Sequence, residues 1–389
     1  MLWPRRRFLR SAPLAFAGSA FADDPKPGPA VLPHSGRIDV LDFGPSVGTG
    51  GDDTAAFHKA IEMAMAQQES RDYFGTAGPA VHVPGGLYKV SGIDVPAHIS
   101  LIGDGMPSTR LVLLPHANRS LVSILPPPLS EPQPWGDFSF AQIAGLTLEG
   151  NSSAQSGTSH GLEILDAGYL MEQRYGAGVY LSDIIIINAR TSGLYIGRNR
   201  NAGFVTNVFV AYSGLHGIQS YGYDWNFFGC RAGTSRHGDG MRMEAGGAAT
   251  FHGTNFYTNP NGSAVGITKY VNAYVNFMGC AFDSSGVGGL TVEGGSNTIQ
   301  AYISVFGGRF LDNGGGNGAH IMLRNVSAVS VTGTLFARSA GSPPPRHLVE
   351  QAGTLGKVHW TANTFEEYNP DLRPFSLTPF SHSDLRIVP

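Results

Sequence analysis

The stretch HGDGMRMEAGGAATFHGTNF, residues 237 to 256, decides the fold. It is too rich in glycine for a helix. Met241, Arg242, Met243 and Glu244 alternate apolar with charged, as a strand does. A run of glycine and alanine interrupts them before Phe251 and Phe256. Short strand, bend, short strand, bend is the pattern of a chain that turns every few residues.

The pattern recurs on both sides. A Gly-apolar-x-apolar segment begins at Gly193, Gly217, Gly240 and Gly289, with a looser copy at Ala264; the starts differ by 24, 23, 24 and 25 residues. His320-Ile321-Met322-Leu323 and His347-Leu348-Val349-Glu350 continue the series. Between them runs a Gly-x-x-Phe series that ends at Phe256, Phe282, Phe310 and Phe336. A repeat this short cannot bury its own apolar face, so it must stack on its neighbours. Several strands per repeat and no helical period specify a parallel β-helix, with coils ~4.8 Å apart. Trp225, Ala249, Val275, Ile303 and Val329 form one inward ladder; Phe227, Phe251, Phe277, Val305 and Val331 form a second. The residues between them, Asn226, Thr250, Asn276, Ser304 and Ser330, point outward by the two-residue period of a strand. Glycines fall at the bends, where a positive φ is needed.

Composition agrees. Glycine makes up 53 of 389 residues and charged residues only 14 %, which fits many short strands and tight turns. At the N-terminus, Arg5, Arg6 and Arg7 precede a small-residue apolar run ending Ala20-Phe21-Ala22. That order is a secretory signal, and the paired arginines with Phe8, Leu9 and Arg10 give it the twin-arginine form. Cleavage after Ala22 removes four arginines and takes the formal charge from −3 to −7. The expectation is a periplasmic or secreted protein. It has no affinity for nucleic acid and, after signal cleavage, no membrane association. Residues 23–36 read as a linker, 37–368 as the β-helix domain, and 369–389 as a polar C-terminal tail along or beyond its far end. A helix within residues 52–68, N-capped by Asp53 or Thr54, presents Ala56, Ala60, Ile61, Ala64 and Met65 as an apolar stripe. It covers the exposed strand edges of the first coil.

Ahead of the repeats, IDVLDFGPSVGTGGDDTAAFHKAIEMA, AVHVPGGLYKVSG and ISLIGDG resemble the opening of the pectate-lyase-like superfamily, in its rhamnogalacturonase and epimerase-like branch. Asp42, Phe43, Gly44, Asp52, Asp53, Thr54, Pro84, Gly85 and Tyr88 carry the match, over residues 38 to 105. The resemblance implies an all-β fold: a single-stranded right-handed parallel β-helix with an N-terminal capping helix. It also implies action on polysaccharides. The matched residues shape the fold, with Asp52 and Asp53 as loop and cap groups. The N-T-D and R-I-K motifs of the superfamily's pectin hydrolases are missing, and His237-Gly238 lacks the full G-H-G context, which argues against ordinary polygalacturonase activity.

The register nominates the site. On the Gly-apolar-x-apolar strands the outward column reads Tyr195, Gln219, Arg242, Thr268, Thr291 and Met322. Two residues on come Gly197, Tyr221, Glu244, Tyr270, Glu293 and Arg324. Sugars stack on aromatic rings and bond to planar charged groups, so this face has the character of a glycan groove. Glu244, Arg242, Asp239 and His216 are the catalytic candidates. Tyr195, Gln219, Tyr221, Tyr270, Glu293 and Arg324 are the candidate substrate contacts. Glu244 and Glu293, two coils apart, suit an inverting carboxylate pair, or are surface glutamates paired with Arg242 or Arg324. His216 and Asp239 lie side by side as an Asp–His base, or are a solvated His and a turn Asp. His237 and His252 are weaker candidates. Arg242 with Tyr221 or Tyr270 is the set available to a lyase. No metal-ligand cluster is evident, although scattered carboxylates suit Ca²⁺. Trp135, in the Pro-rich insertion, is placed to overhang the groove. These features leave a lyase or glycoside hydrolase acting on an acidic or complex polysaccharide, an epimerase, or a non-catalytic glycan binder. Cys230 and Cys280 hold one coil position with Thr254 between them. Their Cα atoms are therefore ~9.6 Å apart, too far for a disulfide.

Overall fold

The computed structural model describes residues 37–67, 79–126, 140–166, 178–198, 200–244, 247–268, 273–293, 301–315, 318–343, 345, 347–366, 375–377 and 385–387. The chain is a parallel β-helix of about nine turns. Each turn contributes one strand to each of three sheets. Sheet A contains Leu162–Ile164, Leu194–Ile196, Ile218–Ser220, Met241–Met243, Ser263–Thr268 and Gly288–Glu293. Sheet B contains Trp225–Phe228, Gly247–His252, Ala273–Met278 and Ala301–Phe306. Sheet C contains Arg231–Gly233, Asn255–Tyr257, Ala281–Asp283, Arg309–Leu311 and Leu335–Ala337. The strand Ala319–Thr332 spans A and B in one run, and Tyr180–Ile187 and Phe204–Ala211 span B and C.

The sheet B ladders are as the alternation requires. Trp225, Ala249, Val275, Ile303 and Val329 pair in register and are all buried. The next inward column stacks Phe227 on Phe251 (centroids 4.6 Å) and Phe251 on Phe277 (5.1 Å). In sheet C, Phe282, Phe310 and Phe336 stack at 4.4 and 5.0 Å with nearly parallel rings. Each ring removes its faces from water against an identical neighbour, so one side-chain choice repeated along the helix axis fills the core.

The bend between sheets B and C is a column of left-handed residues: Gly145, Asp183, Asn207, Gly229, Gly253, Gly279, Gly307, Gly333 and Ala362, with φ between 51° and 68°. A Cβ added at Gly229, Gly253, Gly279, Gly307 or Gly333 would meet nothing within 4 Å, so glycine is there for its φ and not for space. The bend after sheet C departs from the sequence reading. It too is left-handed, but its column is Asn188, Tyr212, Thr234, Thr258, Ser284 and Asp312. The ladder overrides local preference there: the amides of Thr234, Thr258 and Ser284 bond the carbonyls of Tyr257, Asp283 and Leu311 at 2.8–3.0 Å.

Helix α1, Thr54–Ala66, caps the first coil and buries Ala56, Phe57, Ala60, Ile61 and Ala64. Met65 is exposed and Phe57 takes its place in the core; Phe57 meets Tyr88 edge to face at 5.6 Å. Asp53 is the N-cap residue but makes no side-chain cap bond. Its carboxylate instead accepts from the amides of Ser46 and Lys89, pinning the loop to the first coil. Asp52 accepts from the Thr54 amide. Beside the cap, buried His82 bridges Asp39 (2.9 Å) and Asp104 (2.7 Å). At the far end, Phe375–Leu377 and Leu385–Ile387 pair with the strand His347–Thr361, so part of the stretch read as a tail continues the sheets. Cys230 and Cys280 are free and buried, with Cys230 two coil steps from Cys280 in the register expected. No described helix is long and apolar enough to cross a membrane.

Candidate functional site on sheet A

The outward side of sheet A collects the polar and aromatic groups. Its first column runs Glu163, Tyr195, Gln219, Arg242, Gly266, Thr291 and Met322. Gly266, not Thr268, holds the slot beside Arg242. Thr268 belongs to the second column, where it accompanies Glu293 and Arg324. The slip arises because a glycine leaves no side chain by which to read which way the strand faces. Tyr270, assigned to that second column from the sequence, lies outside the described residues, as does Trp135.

Ring contacts join the N-terminal part of this face. His160 stacks obliquely on Tyr195 (4.6 Å), Tyr195 meets Tyr221 (5.8 Å), and the Arg198 guanidinium lies over the Tyr221 ring at 5.3 Å. Tyr195 is partly buried, and burial raises its pKa, with Asp166 and Glu163 among the neighbours adding to the effect. Burial also raises Tyr221, with the Glu244 charge next. Both phenols therefore stay protonated and act as donors. Glu163 accepts a hydrogen bond from Ser120 Oγ at 2.6 Å, and Asp166 accepts from the Arg198 amide at 2.8 Å.

A polar relay crosses the middle coils. Ser192 Oγ donates to Gln219 Oε1 at 2.8 Å, which fixes the amide orientation. Gln219 Nε2 then reaches both the Tyr221 hydroxyl (3.4 Å) and Glu244 Oε1 (3.5 Å). Glu244 Oε2 accepts from Thr268 Oγ1 at 3.0 Å, and Arg242 Nε stands 3.5 Å from Glu244 Oε1. Arg242 Nη1 bonds Asp239 Oδ2 at 2.9 Å. A Cβ on Gly266 would lie 2.3 Å from that same oxygen and 3.1 Å from Arg242 Nη1. The missing side chain is therefore what admits the ion pair.

His216 and Asp239 are neighbours but not a catalytic dyad. The Asp239 backbone amide donates to His216 Nδ1 at 2.9 Å, whereas the carboxylate is 3.9 Å away. The carboxylate is engaged by the Ser263 amide (2.7 Å) and Arg242. With Nδ1 occupied as acceptor, neutral His216 carries its proton on Nε2 and cannot be a base polarised by Asp239. Burial, then the Arg242 charge, lowers its pKa to about 4. His160 has the same design: its Nδ1 accepts from the Ser192 amide, and burial lowers it to about 4. Burial raises Asp239 despite its partners.

Glu244 and Glu293 stand two coils apart, as the period requires. Each is held by a guanidinium, Glu244 by Arg242 and Glu293 by Arg324 at 3.3 Å. His252 lies away from this cluster, stacked on Phe228 on the outside of sheet B, and exposed His237 stands in the bend just before Asp239. Sequence reasoning missed His160, Glu163, Asp166 and Arg198. Gly161-Leu162-Glu163-Ile164 is a further copy of the strand motif, 32 residues before Gly193, and its longer interval hid it from a 24-residue search. Among the described residues no three His, Cys, Asp or Glu side chains converge to hold a metal.

No family model and no curated protein matches the chain. Solved structures do. The A-module of the mannuronan C-5 epimerase AlgE4 from Azotobacter vinelandii superposes with a TM-score of 0.62 at 16 % identity, over 88 % of this chain and 100 % of its own. The AlgE6 A-module from the same organism gives 0.61 at 15 %, over 88 % and 100 %. The enzymatically active domain of bacteriophage CBA120 tailspike protein 2 gives 0.60 at 15 %, over 82 % of this chain and 47 % of that one. At these identities the likeness establishes a common fold: the chain is a parallel β-helix of the kind these proteins share.

Proposed function

We propose that sheet A binds an extended acidic polysaccharide outside the cytoplasm and that the protein is a lyase acting on it. The observation that carries this reading is the relay of Tyr221, Gln219 and Glu244, which sets a protonated phenol and a carboxylate on either side of one amide. In the proposed reaction Glu244 removes the proton next to a uronate carboxylate. The bond from the adjacent ring carbon to the glycosidic oxygen breaks, a carbon–carbon double bond forms, and the Tyr221 hydroxyl protonates the departing oxygen. Arg198, which no described carboxylate approaches within ion-pair distance, is the guanidinium available to neutralise the uronate. Arg242, held by Asp239 and Glu244, is not. Hydrolysis by Glu244 and Glu293 is less well supported, because it needs the second carboxyl, and Arg324 engages Glu293. Export through a twin-arginine signal accords with a substrate outside the cytoplasm. The names of the AlgE4 and AlgE6 modules make epimerisation the second reading: the same proton is removed and one is returned to the opposite face.

Purified protein incubated with a panel of uronate and neutral polysaccharides tests the proposal. Elimination yields ultraviolet absorbance from unsaturated uronate. Reducing ends without that absorbance mean hydrolysis, and an altered but uncut polymer means epimerisation. Retention without change would make this a binding protein and refute the catalytic reading.

A further inference from the structure

The outer side of sheet B is a second distinctive surface. Seven of the fifteen exposed large apolar side chains among the described residues lie on it: Tyr180, Phe204, Phe228, Tyr274, Met278, Tyr302 and Phe306, the last 59 % exposed. They are ordered. One column runs Phe228, His252, Met278 and Phe306 over four consecutive coils. Four residues away across the strands, Tyr274 and Tyr302 form another. Between them lies the small polar column Asn226, Thr250, Asn276, Ser304 and Ser330. Among the described positions the outward residues of these three columns from Phe228 to Thr332 are uncharged, while exposed Asp183 and Asp224 stand at the N-terminal end of the face.

We propose that this face is where two copies of the chain meet. A surface this apolar and contiguous marks an interaction site, and its chemistry selects the partner. The chain carries formal charge −3, or −7 once the N-terminal arginines are removed, so copies repel over most of their surfaces; an uncharged face is where they can approach. The three columns are also self-complementary. A two-fold axis along the helix and in the plane of contact exchanges left for right. It sets the Tyr274–Tyr302 column of one copy against the Phe228–Phe306 column of the other, and each residue of the polar column against its own counterpart. Two sheets packed in this way lie about 10 Å apart, the ordinary spacing of a β-sandwich. A sugar polymer fits less well. The rings stack on one another, Phe228 on His252 at 4.8 Å and Tyr274 on Tyr302 at 5.0 Å, both nearly parallel. Each stacked pair therefore turns one face of each ring inward on its partner, which reduces the ring surface open to a sugar.

Sedimentation and light scattering of the full chain across a concentration series test this directly. The expected result is a concentration-dependent dimer, with Phe306→Glu or Met278→Glu raising the dissociation constant by about thirtyfold or more. Because Ser304 faces solvent in one chain, Ser304→Cys leaves the core untouched. A short bifunctional thiol reagent, able to bridge sheets about 10 Å apart where a disulfide cannot, should cross-link two copies through it, whereas Arg231→Cys on sheet C should give none; native Cys230 and Cys280 are buried and do not compete. A monomer at every concentration overturns the proposal. So does a dimer that survives both charged substitutions in folded protein. Loss of dimer in those variants without Ser304→Cys cross-linking overturns the two-fold arrangement. A monomer whose sheet B variants lose polysaccharide retention would assign the face to sugar instead.

Discussion

At the residue scale, the site is governed by which atom of each side chain is already taken. His216 shows this: its Nδ1 is committed to an amide, and its burial makes the charged form costly. His160, His216 and His320 are all lowered to about 4 from an ordinary value near 6.5, in each case chiefly by burial. Below pH 6.5 the unfolded chain takes up protons that the folded chain refuses. Stability should therefore be flat above that value and fall as the pH drops from 6.5 to 4, by up to about 3 kcal/mol per histidine. Denaturant midpoints across that range check it, and His320→Asn should make the fall shallower by about a third. Gly266 is the second residue-scale test. Gly266→Ala drives a methyl into the Asp239–Arg242 pair and should destabilise the fold by about 1–3 kcal/mol, whereas Thr291→Ala in the next coil should cost less. The sequence placed Arg242, Glu244, Tyr195, Gln219 and Tyr221 correctly on one face, because alternation fixes facing. It did not show that the Asp239 amide, not its carboxylate, reaches His216; backbone orientation at a turn leaves no trace in residue identity.

At the scale of the element, the two left-handed bends differ in how readable they are. The glycine column at Gly229, Gly253 and Gly279 is visible in the sequence because glycine tolerates positive φ freely. The column at Thr234, Thr258 and Ser284 is not, since the hydrogen-bond ladder imposes that conformation on residues that disfavour it. Two substitutions separate conformational from steric cost. Gly279→Ala meets no atom and should cost about 1 kcal/mol, the price of the left-handed backbone alone. Gly308→Ala also has positive φ but places its methyl 2.0 Å from the Cys280 carbonyl oxygen, so it should cost several times more. Equal denaturant midpoints for the two would show that the bend is more compliant than drawn. The first coils were harder to read than the later ones. The intervals around residues 127–139 and 167–177 lengthen the repeat, and a fixed period passes over Gly161 and with it Glu163 and Asp166.

At the scale of the molecule, the stacked ladders replace covalent cross-links. Cys230 and Cys280 sit two coils apart, and burial pushes both thiols up to about 11, so neither should react with a thiol reagent in the folded state. Reductant should leave the melting temperature unchanged, whereas Phe282→Ala, at the centre of the ring stack, should cost about 3–5 kcal/mol. The period that made the architecture legible also fixed the side of the molecule on which to look for chemistry. It could not name the reaction, for which the proposed function looks to the arrangement of Tyr221, Gln219 and Glu244. The most direct test of that assignment compares wild-type protein with Tyr221→Phe and Glu244→Gln on the polysaccharide that the wild type modifies. Product formation should fall by about a hundredfold or more in each variant, with melting temperature and retention on the polymer preserved. Full activity in both would place the chemistry away from sheet A's central coils and contradict the account.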